Sequence, residues 1–370
     1  MHLGLEEALP ALVKSRFTAA KAAQALIFSS TELSILHSRN QPFQLRYCPA
    51  LAKKPKSNDD NVQHQGKKPD PFENPPADLL VTDLPPANPT HILVLNKYPV
   101  IPQHFILATR MGKRHPEPEQ VTKPFAFFNS GAHSGASQAH RHLQFLPVAE
   151  MKRDQGGDDK WDPLINQMLD NKNAPVDESS SGMRSLRNMP FTHYALPLPA
   201  TPSAEQLQAT YQRLYDAAAA AVRAYIALRK GDLELHPGEG GSSPISYNLA
   251  MTTSGMAIFP RRREAAELVD ENGKQVGSVA INGTILAGTL MVKAEEEWNL
   301  FRGDSTQLDK VLETIGIPLP TPKAWTWKSY RRKRSSACTS VALANVHMPH
   351  RMWNCVIRAK ASSNVRHLAH

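Results

Sequence analysis

Cysteine is scarce in this chain. Cys48, Cys338 and Cys355 are the three in 370 residues, and no Cys-x-x-Cys pair occurs. An odd number at wide spacing excludes a disulfide framework and points to a reducing compartment. Long apolar runs are missing too. No stretch approaches the roughly 18 residues of a spanning helix. The opening MHLGLEEALPALVKSRF has an acidic pair where a secretory signal needs an unbroken apolar core. The expected location is therefore the cytosol, with the nucleus as an alternative. Acidic residues are absent from residues 326–370, which hold nine Lys and Arg. Setting those nine aside leaves 34 basic against 34 acidic residues, so the net charge of +9 belongs to the tail. The neutral body does not carry the broad basic surface of a nucleic-acid binder.

The rest of the composition, 41% apolar and 21% charged, is that of an ordinary globular protein. The length suits two domains, or one large domain with two halves, and 30 prolines favour many loops. Helical spacing of Leu5, Leu9, Leu12 and Val13 predicts a helix within residues 1–30. Residues 41–48 alternate like a strand. Residues 51–68 are polar and lysine-rich and read as a mobile loop, and 70–83 as a proline-rich connector. Strands are expected at 91–95, 104–109 and from 125, and a flexible insertion at 151–189. In the second half, short strands are expected at 191–197 and 283–292 and a hairpin at 246–260. The clearest helix is 203–230, with Ser203 as N-cap and Gly231 after its end. Two short helices follow, at 295–301 and 305–315. No sequence repeat is visible, but the order of elements allows two similar halves.

The stretch that carries chemistry is FAFFNSGAHSGASQAHRHLQFLPV, residues 125–148. On a strand, side chains alternate between faces, so His140, His142 and Gln144 fall on one face. A neutral imidazole nitrogen is a good nucleophile near pH 7. To carry a phosphoryl or adenylyl group it needs in-line attack, an acceptor holding its other ring N–H, and donors for the non-bridging oxygens. His142, in the middle, is the best-placed nucleophile. Gln144 can donate a hydrogen bond but cannot trade protons. Ser137, Gln138 and the N–H groups of residues 135–138 can form a donor cradle. Two same-face histidines could instead ligate zinc, but that needs further ligands that the sequence does not supply nearby. The lysines of 51–68 are either solvated loop charge or polyphosphate contacts.

NSGxxSGASQxHRHLQFLP resembles the histidine-triad superfamily, in the branch with Gln in place of the last His. That branch includes galactose-1-phosphate uridylyltransferase and the fungal diadenosine tetraphosphate phosphorylases, or ATP adenylyltransferases. LNKYPVIPQHFILAT (95–109), FTHYALPLP (191–199) and SYNLAMTTSGMAIFPRR (246–262) resemble the phosphorylases in particular, as do DPFENP (70–75) and ALAKKPK (50–56). The resemblance runs over about residues 1–325. It implies an α+β fold: a histidine-triad-like antiparallel sheet with helices and two related half-domains. The divisions are a catalytic half over 1–150, the insertion over 151–189, an ATP adenylyltransferase half over 190–325, and a basic, disordered tail over 326–370.

It also implies a nucleotidyltransferase. The histidine attacks the α-phosphorus of diadenosine tetraphosphate and expels ATP, and inorganic phosphate then takes the adenylyl group to give ADP, reversibly. His142 would be the nucleophile, Gln144 would hold the α-phosphate oxygens, and His140 would support the geometry. Substrate contacts would come from Lys54, Asn96, Lys97, Asn129, Gly135, Ala136, Ser137 and Gln138, and from Ala250, Met251, Thr252, Ala257 and Arg261. No covalent cofactor is implied, only a divalent cation such as Mg2+ arriving with the nucleotide. The partners would be dinucleoside polyphosphates, ATP, ADP and phosphate, with no membrane. Two alternatives stay open: a dinucleoside polyphosphate hydrolase of the same fold, and a non-catalytic nucleotide- or nucleic-acid-binding protein.

Two features depart from the pattern. The superfamily places a covering helix between the strands at 104–109 and 125, but residues 110–124 are short, proline-rich and without an apolar stripe. The tail beyond 325 is the second departure. A splicing or reading-frame difference would account for both.

Overall fold

Strands buried along their whole length, at residues 91–95, 246–252 and 255–261, build the centre of the molecule. In a computed structural model, residue 5 and residues 7–53, 70–86, 88–110, 124–138, 140–153, 161–170, 172, 182–186, 188–237 and 243–319 are described. Eight strands form one sheet: β3 (Leu80–Leu84), β4 (His91–Leu95), β5 (Phe105–Thr109), β6 (Pro124–Ser130), β7 (His142–Pro147), β8 (Tyr194–Pro197), β9 (Ser246–Thr252) and β10 (Gly255–Arg261). The spatial order is β3-β4-β5-β7-β6-β9-β10-β8, and neighbours are antiparallel. The β6–β9 pairing, Phe127 opposite Ala250 and Asn129 opposite Asn248, joins the two halves of the chain into one sheet.

The α+β architecture agrees with the sequence reading. β1 (Glu32–Ser38), β2 (Gln41–Tyr47) and β13 (Thr289–Val292) make a second sheet in which β13 runs parallel to β2. β11 (Ala265–Val269) and β12 (Gln275–Ala280) form a separate hairpin. One face of the main sheet is covered by α1 (Leu9–Ala22) and α4 (Ala204–Leu228). Along α4, Leu207, Tyr211, Leu214, Ala218, Val222 and Tyr225 recur every three or four residues and are buried against Phe145, Leu249 and Ile258. Ser203 and Gln206 close a capping box at its N-terminus, as the N-cap assignment expected.

The other face carries α2 (Val148–Met151), α3 (Leu164–Leu169), α5 (Glu295–Gly303), α6 (Gln307–Ile315) and a 3-10 turn at Gly283–Ala287. Its apolar contacts fall into two groups. One is built on Phe125, Phe127, Ala250, Ala257 and Phe259, and the other is the small set Phe72, Ile92, Val94, Ile106 and Ala108.

Several expectations need correction. The 70–83 connector contains the start of an edge strand, β3. The flexible insertion at 151–189 includes Trp161, Leu164, Ile165 and Met168, all buried beneath the second face, so this part belongs to the core. The strand expected at 283–292 is a 3-10 turn followed by β13. The Asn282 side chain accepts from the Thr284 N–H, and Gly288 takes a φ of +69°, a reversal that glycine permits without a Cβ penalty. The tail and residues 111–123 lie outside the described residues, so the expected disorder and the missing helix do too.

Candidate active site

Between the two apolar groups of the second face lies a row of polar side chains. Antiparallel register puts Gln144 opposite Ile106 on one side and Phe127 on the other, with His142 opposite Ala108. Directly opposed residues share a face. His142 and Gln144 therefore emerge where the small cluster around Ile106 ends and the larger one around Phe127 begins. His140 lies just before β7, outside the ladder, and its ring is turned onto Thr109. The expected single row of three is thus a strand pair plus one residue from the preceding loop.

The hydrogen bonds form a directed chain. The Tyr98 N–H donates to Asn96 Oδ1 at 2.8 Å, so the Asn96 amide nitrogen faces His104 Nδ1 at 3.1 Å. An amide nitrogen only donates, so His104 Nδ1 accepts and His104 Nε2 carries the proton. That N–H donates to Gln144 Oε1 at 3.1 Å. The Gln144 amide nitrogen is left 3.5 Å from His142 Nε2. At the other side of the ring, His142 Nδ1 donates to the His140 carbonyl at 2.7 Å. These tautomers are assigned from the network. They leave His142 Nε2 with its lone pair, facing an amide donor.

Burial favours the same state. His142 is 7% exposed. Desolvation pushes its pKa below the ordinary 6.5. The bond to the His140 carbonyl and the Asp70 charge work upward, the His140 ring downward, and the net is lowered. The imidazole is neutral at pH 7 and can attack as a base-free nucleophile.

Around it, Asp70 Oδ2 accepts from His140 Nδ1 at 2.6 Å, and His140 Nε2 lies 2.9 Å from the Thr109 carbonyl. Burial raises the Asp70 pKa, but the Phe72 N–H and the His140 ring outweigh it, and the carboxyl sits below its usual range. Phe72 covers both rings, with centroids 5.2 Å from His140 and 5.3 Å from His142.

The loop after β6 is held by the second half. Asn248 donates to Asn129 Oδ1 at 2.9 Å and to the Ser134 carbonyl at 2.8 Å. The Gly283 N–H also donates to Asn129 Oδ1, leaving the Asn129 amide nitrogen as the group able to donate outward. At Gly135, with φ +73°, a Cβ would stand 2.6 Å from the Ile281 carbonyl, so the close approach needs glycine. Ala136, Ser137 and Gln138 are exposed beyond it.

Residues 3–117 and 119–157 match the Ap4A phosphorylase N-terminal domain, and residues 187–318 match the ATP adenylyltransferase C-terminal domain. The chain belongs to the Ap4A phosphorylase family. It is 26% identical to diadenosine tetraphosphate phosphorylase 2 of Saccharomyces cerevisiae over 342 residues, covering 85% of this chain and 96% of that one. It is 22% identical to Protein APA1 of the same yeast over 306 residues, 75% of this chain and 84% of that one. The crystal structure of yeast Ap4A phosphorylase Apa2 in complex with Ap4A has the same fold. Its TM-score is 0.62 at 23% identity, covering 86% of this chain and 100% of that chain. The complex of Apa2 with AMP gives a TM-score of 0.59, also at 23% identity.

Within this family fold, the structure gathers His140, His142, Gln144 and Asn96 into one network, and Asn129 holds the loop that continues through Gly135 to Gln138. Lys97 is exposed beside Tyr98, its Nζ 5.8 Å from that ring. Lys54 lies outside the described residues. The second-half candidates sit differently. Ala250 and Ala257 are buried in the core beneath the second face, and Met251 points to the opposite face against α4. Thr252, at the end of β9, accepts from the Ser254 N–H. Arg261 is fully buried. It donates to Asn248 Oδ1 at 2.6 Å and to the carbonyls of Ile281, Arg263 and Glu264, and burial pushes its pKa down to about 9. Its guanidinium thus braces Asn248, and through Asn248 the loop.

Sequence reasoning passed over Asp70, Phe72 and Thr109. The signal for Asp70 was present in DPFENP, where an Asp two residues before an aromatic, among prolines, marks an Asx turn. Asp70 indeed accepts from the Phe72 N–H at 2.9 Å.

Proposed function

We propose that the chain is a nucleotidyltransferase that cleaves diadenosine tetraphosphate with inorganic phosphate to ATP and ADP, reversibly, through an adenylyl-His142 intermediate. The observation that carries this reading is the state of His142. It is buried and neutral, with Nδ1–H committed to the His140 carbonyl and Nε2 left facing the Gln144 amide. The Nε2 lone pair attacks the α-phosphorus and forms the N–P bond as the bond to the ATP oxygen breaks. A phosphate oxygen then attacks the same phosphorus, the N–P bond breaks, and the lone pair returns to Nε2 with ADP released. ATP leaves as a stable anion and needs no proton donor, which suits Gln rather than His at 144. Gln144, the Asn129 amide and the N–H groups of residues 135–138 meet the non-bridging oxygens, where donors aimed at developing charge have the largest effect.

Asn96, Lys97 and Lys54 border the nucleotide and polyphosphate. Ala250, Thr252 and Ala257 lie on the sheet face behind the loop, Met251 lies on the opposite face, and Arg261 braces the loop. A divalent cation such as Mg2+ enters with the polyphosphate, and no covalent cofactor takes part. Among the described residues no cluster of His, Cys, Asp and Glu suited to a metal is found, and no helix is long and apolar enough to cross a membrane. The reading places the enzyme in the cytosol or nucleus.

The test is incubation with diadenosine tetraphosphate, with and without phosphate. ATP plus ADP only with phosphate is expected, with turnover abolished in His142→Ala. AMP plus ATP without phosphate would make the protein a hydrolase instead. Loss of turnover in Arg141→Ala with activity kept in His142→Ala would overturn the assignment of the nucleophile.

A further inference from the structure

Asp70 stands 70 residues from His140 in sequence, yet its carboxylate makes one of the shortest polar contacts around the motif. We propose that Asp70 is a positioning residue for the nucleophile and acts through the ring and main chain of His140. This rests on the functional reading above and deepens it.

The geometry runs in three steps. Asp70 Oδ2 accepts from His140 Nδ1 at 2.6 Å, while Thr109 meets Nε2 with its carbonyl at 2.9 Å and its hydroxyl at 3.1 Å. Nε2 can donate to that carbonyl or accept from that hydroxyl, and in both cases Nδ1 donates to Asp70. The ring is therefore fixed at both ends. His140 takes no part in the pairing of β7, which starts at His142, so no strand ladder orients its peptide. The fixed ring supplies the orientation that the ladder does not.

The His140 carbonyl is the acceptor for His142 Nδ1–H. If that carbonyl turns away, Nδ1–H loses its partner and the other tautomer becomes competitive. That tautomer puts the proton on Nε2, the atom that must attack.

The same turn also covers the nucleophile. The Phe72 N–H donates to the free oxygen of Asp70 at 2.9 Å, and the Phe72 ring, 5% exposed, lies over both histidines. One short segment thus aims the carboxylate and excludes water from the nucleophile. The Asp70 side chain is 29% exposed, so it can be replaced without opening the core.

The experiment compares Asp70→Ala, Asp70→Asn, His140→Ala and the Asp70→Ala/His140→Ala double variant in full-length protein. Diadenosine tetraphosphate phosphorolysis is followed alongside 15N NMR of the His142 tautomer. Asp70→Ala is expected to lower kcat about 10- to 100-fold, the scale of a small misplacement of a reacting group, with KM within about threefold of wild type. Asp70→Asn keeps the Phe72 turn through its amide oxygen, and its amide nitrogen can donate to His140 Nδ1 once that ring carries its proton on Nε2 against the Thr109 carbonyl, so the ring stays held at both ends and most of that loss should be recovered. The double variant should be no slower than His140→Ala, because residues acting in series are not additive. The NMR should show protonated Nδ1 in wild type and a mixture of tautomers in Asp70→Ala.

Wild-type kcat in Asp70→Ala, losses that multiply in the double variant, or an unchanged tautomer would each overturn the proposal. Absence of turnover in wild type would overturn the functional reading alone, because the tautomer measurement decides the role of Asp70 without activity.

Discussion

His104→Phe tests the hydrogen-bond chain behind the nucleophile. The His104 ring packs 6.4 Å from the Phe127 ring and is 7% exposed, so phenylalanine fills the same space. Among what it removes are the hydrogen bonds from Asn96 to Nδ1 and from Nε2 to Gln144 Oε1. Each is worth about 1 kcal/mol net, so holding Gln144 with its amide toward His142 loses roughly 2 kcal/mol. At 1.36 kcal/mol per factor of ten, this corresponds to about a 30-fold fall in kcat. Because the bonds orient a donor that acts on developing charge, KM for diadenosine tetraphosphate should move far less. Steady-state phosphorolysis at saturating phosphate, with a melting curve to show that the variant folds, measures both. A kcat within twofold of wild type, or a change confined to KM, would refute the idea that His104 sets the orientation of Gln144.

Three further outcomes are expected. Since burial holds the His142 pKa below 6.5, the nucleophile is already neutral at pH 7. Then kcat/KM should be flat from pH 8 to 7 and decline only on acidification below that value; an acid limb centred above pH 7 would contradict this. His193 is wholly buried, accepts from the Leu186 N–H and donates to the Phe191 carbonyl, and burial lowers its pKa to about 4. Its folded value lies below its unfolded one, so the stability it contributes is full above pH 6.5 and drains away as pH falls toward 4. Urea denaturation should lose about 2 kcal/mol between pH 7 and pH 5 from this group, and His193→Gln should flatten that slope. Arg261→Met orphans Asn248 Oδ1 and three carbonyls, at roughly 1–3 kcal/mol for each buried group left unpaired. The melting temperature should fall clearly, and nucleotide should bind more weakly because Asn248 no longer braces the loop; unchanged stability would show that the guanidinium is dispensable.

The elements legible in advance were those with a strong local signal. α4 has a helical stripe and a capping residue at its start, and β9–β10 is a run of apolar residues around Thr253-Ser254-Gly255. β1 was missed because its exposure is mixed along its length, without a clean alternation. α3 sits among polar residues, and in sequence alone that stretch reads as a flexible insertion. Its burial depends on the sheet face above it, to which Leu164, Ile165 and Met168 pack. The motif itself was readable because a period of two is a property of the strand alone, and that already put His142 and Gln144 on one face.

The sequence by itself determined the chemistry on offer: a histidine and a glutamine two apart, after a loop of small residues, in a chain whose charge lies in its tail. Only the tertiary structure decided which nitrogen of His142 is left to react. That choice depends on acceptors from elsewhere in the chain, Asp70 and Thr109 behind His140, and on His104 and Asn96 behind Gln144. A tautomer is set by the partner at the other end of the ring, and those partners become neighbours only when the sheet forms.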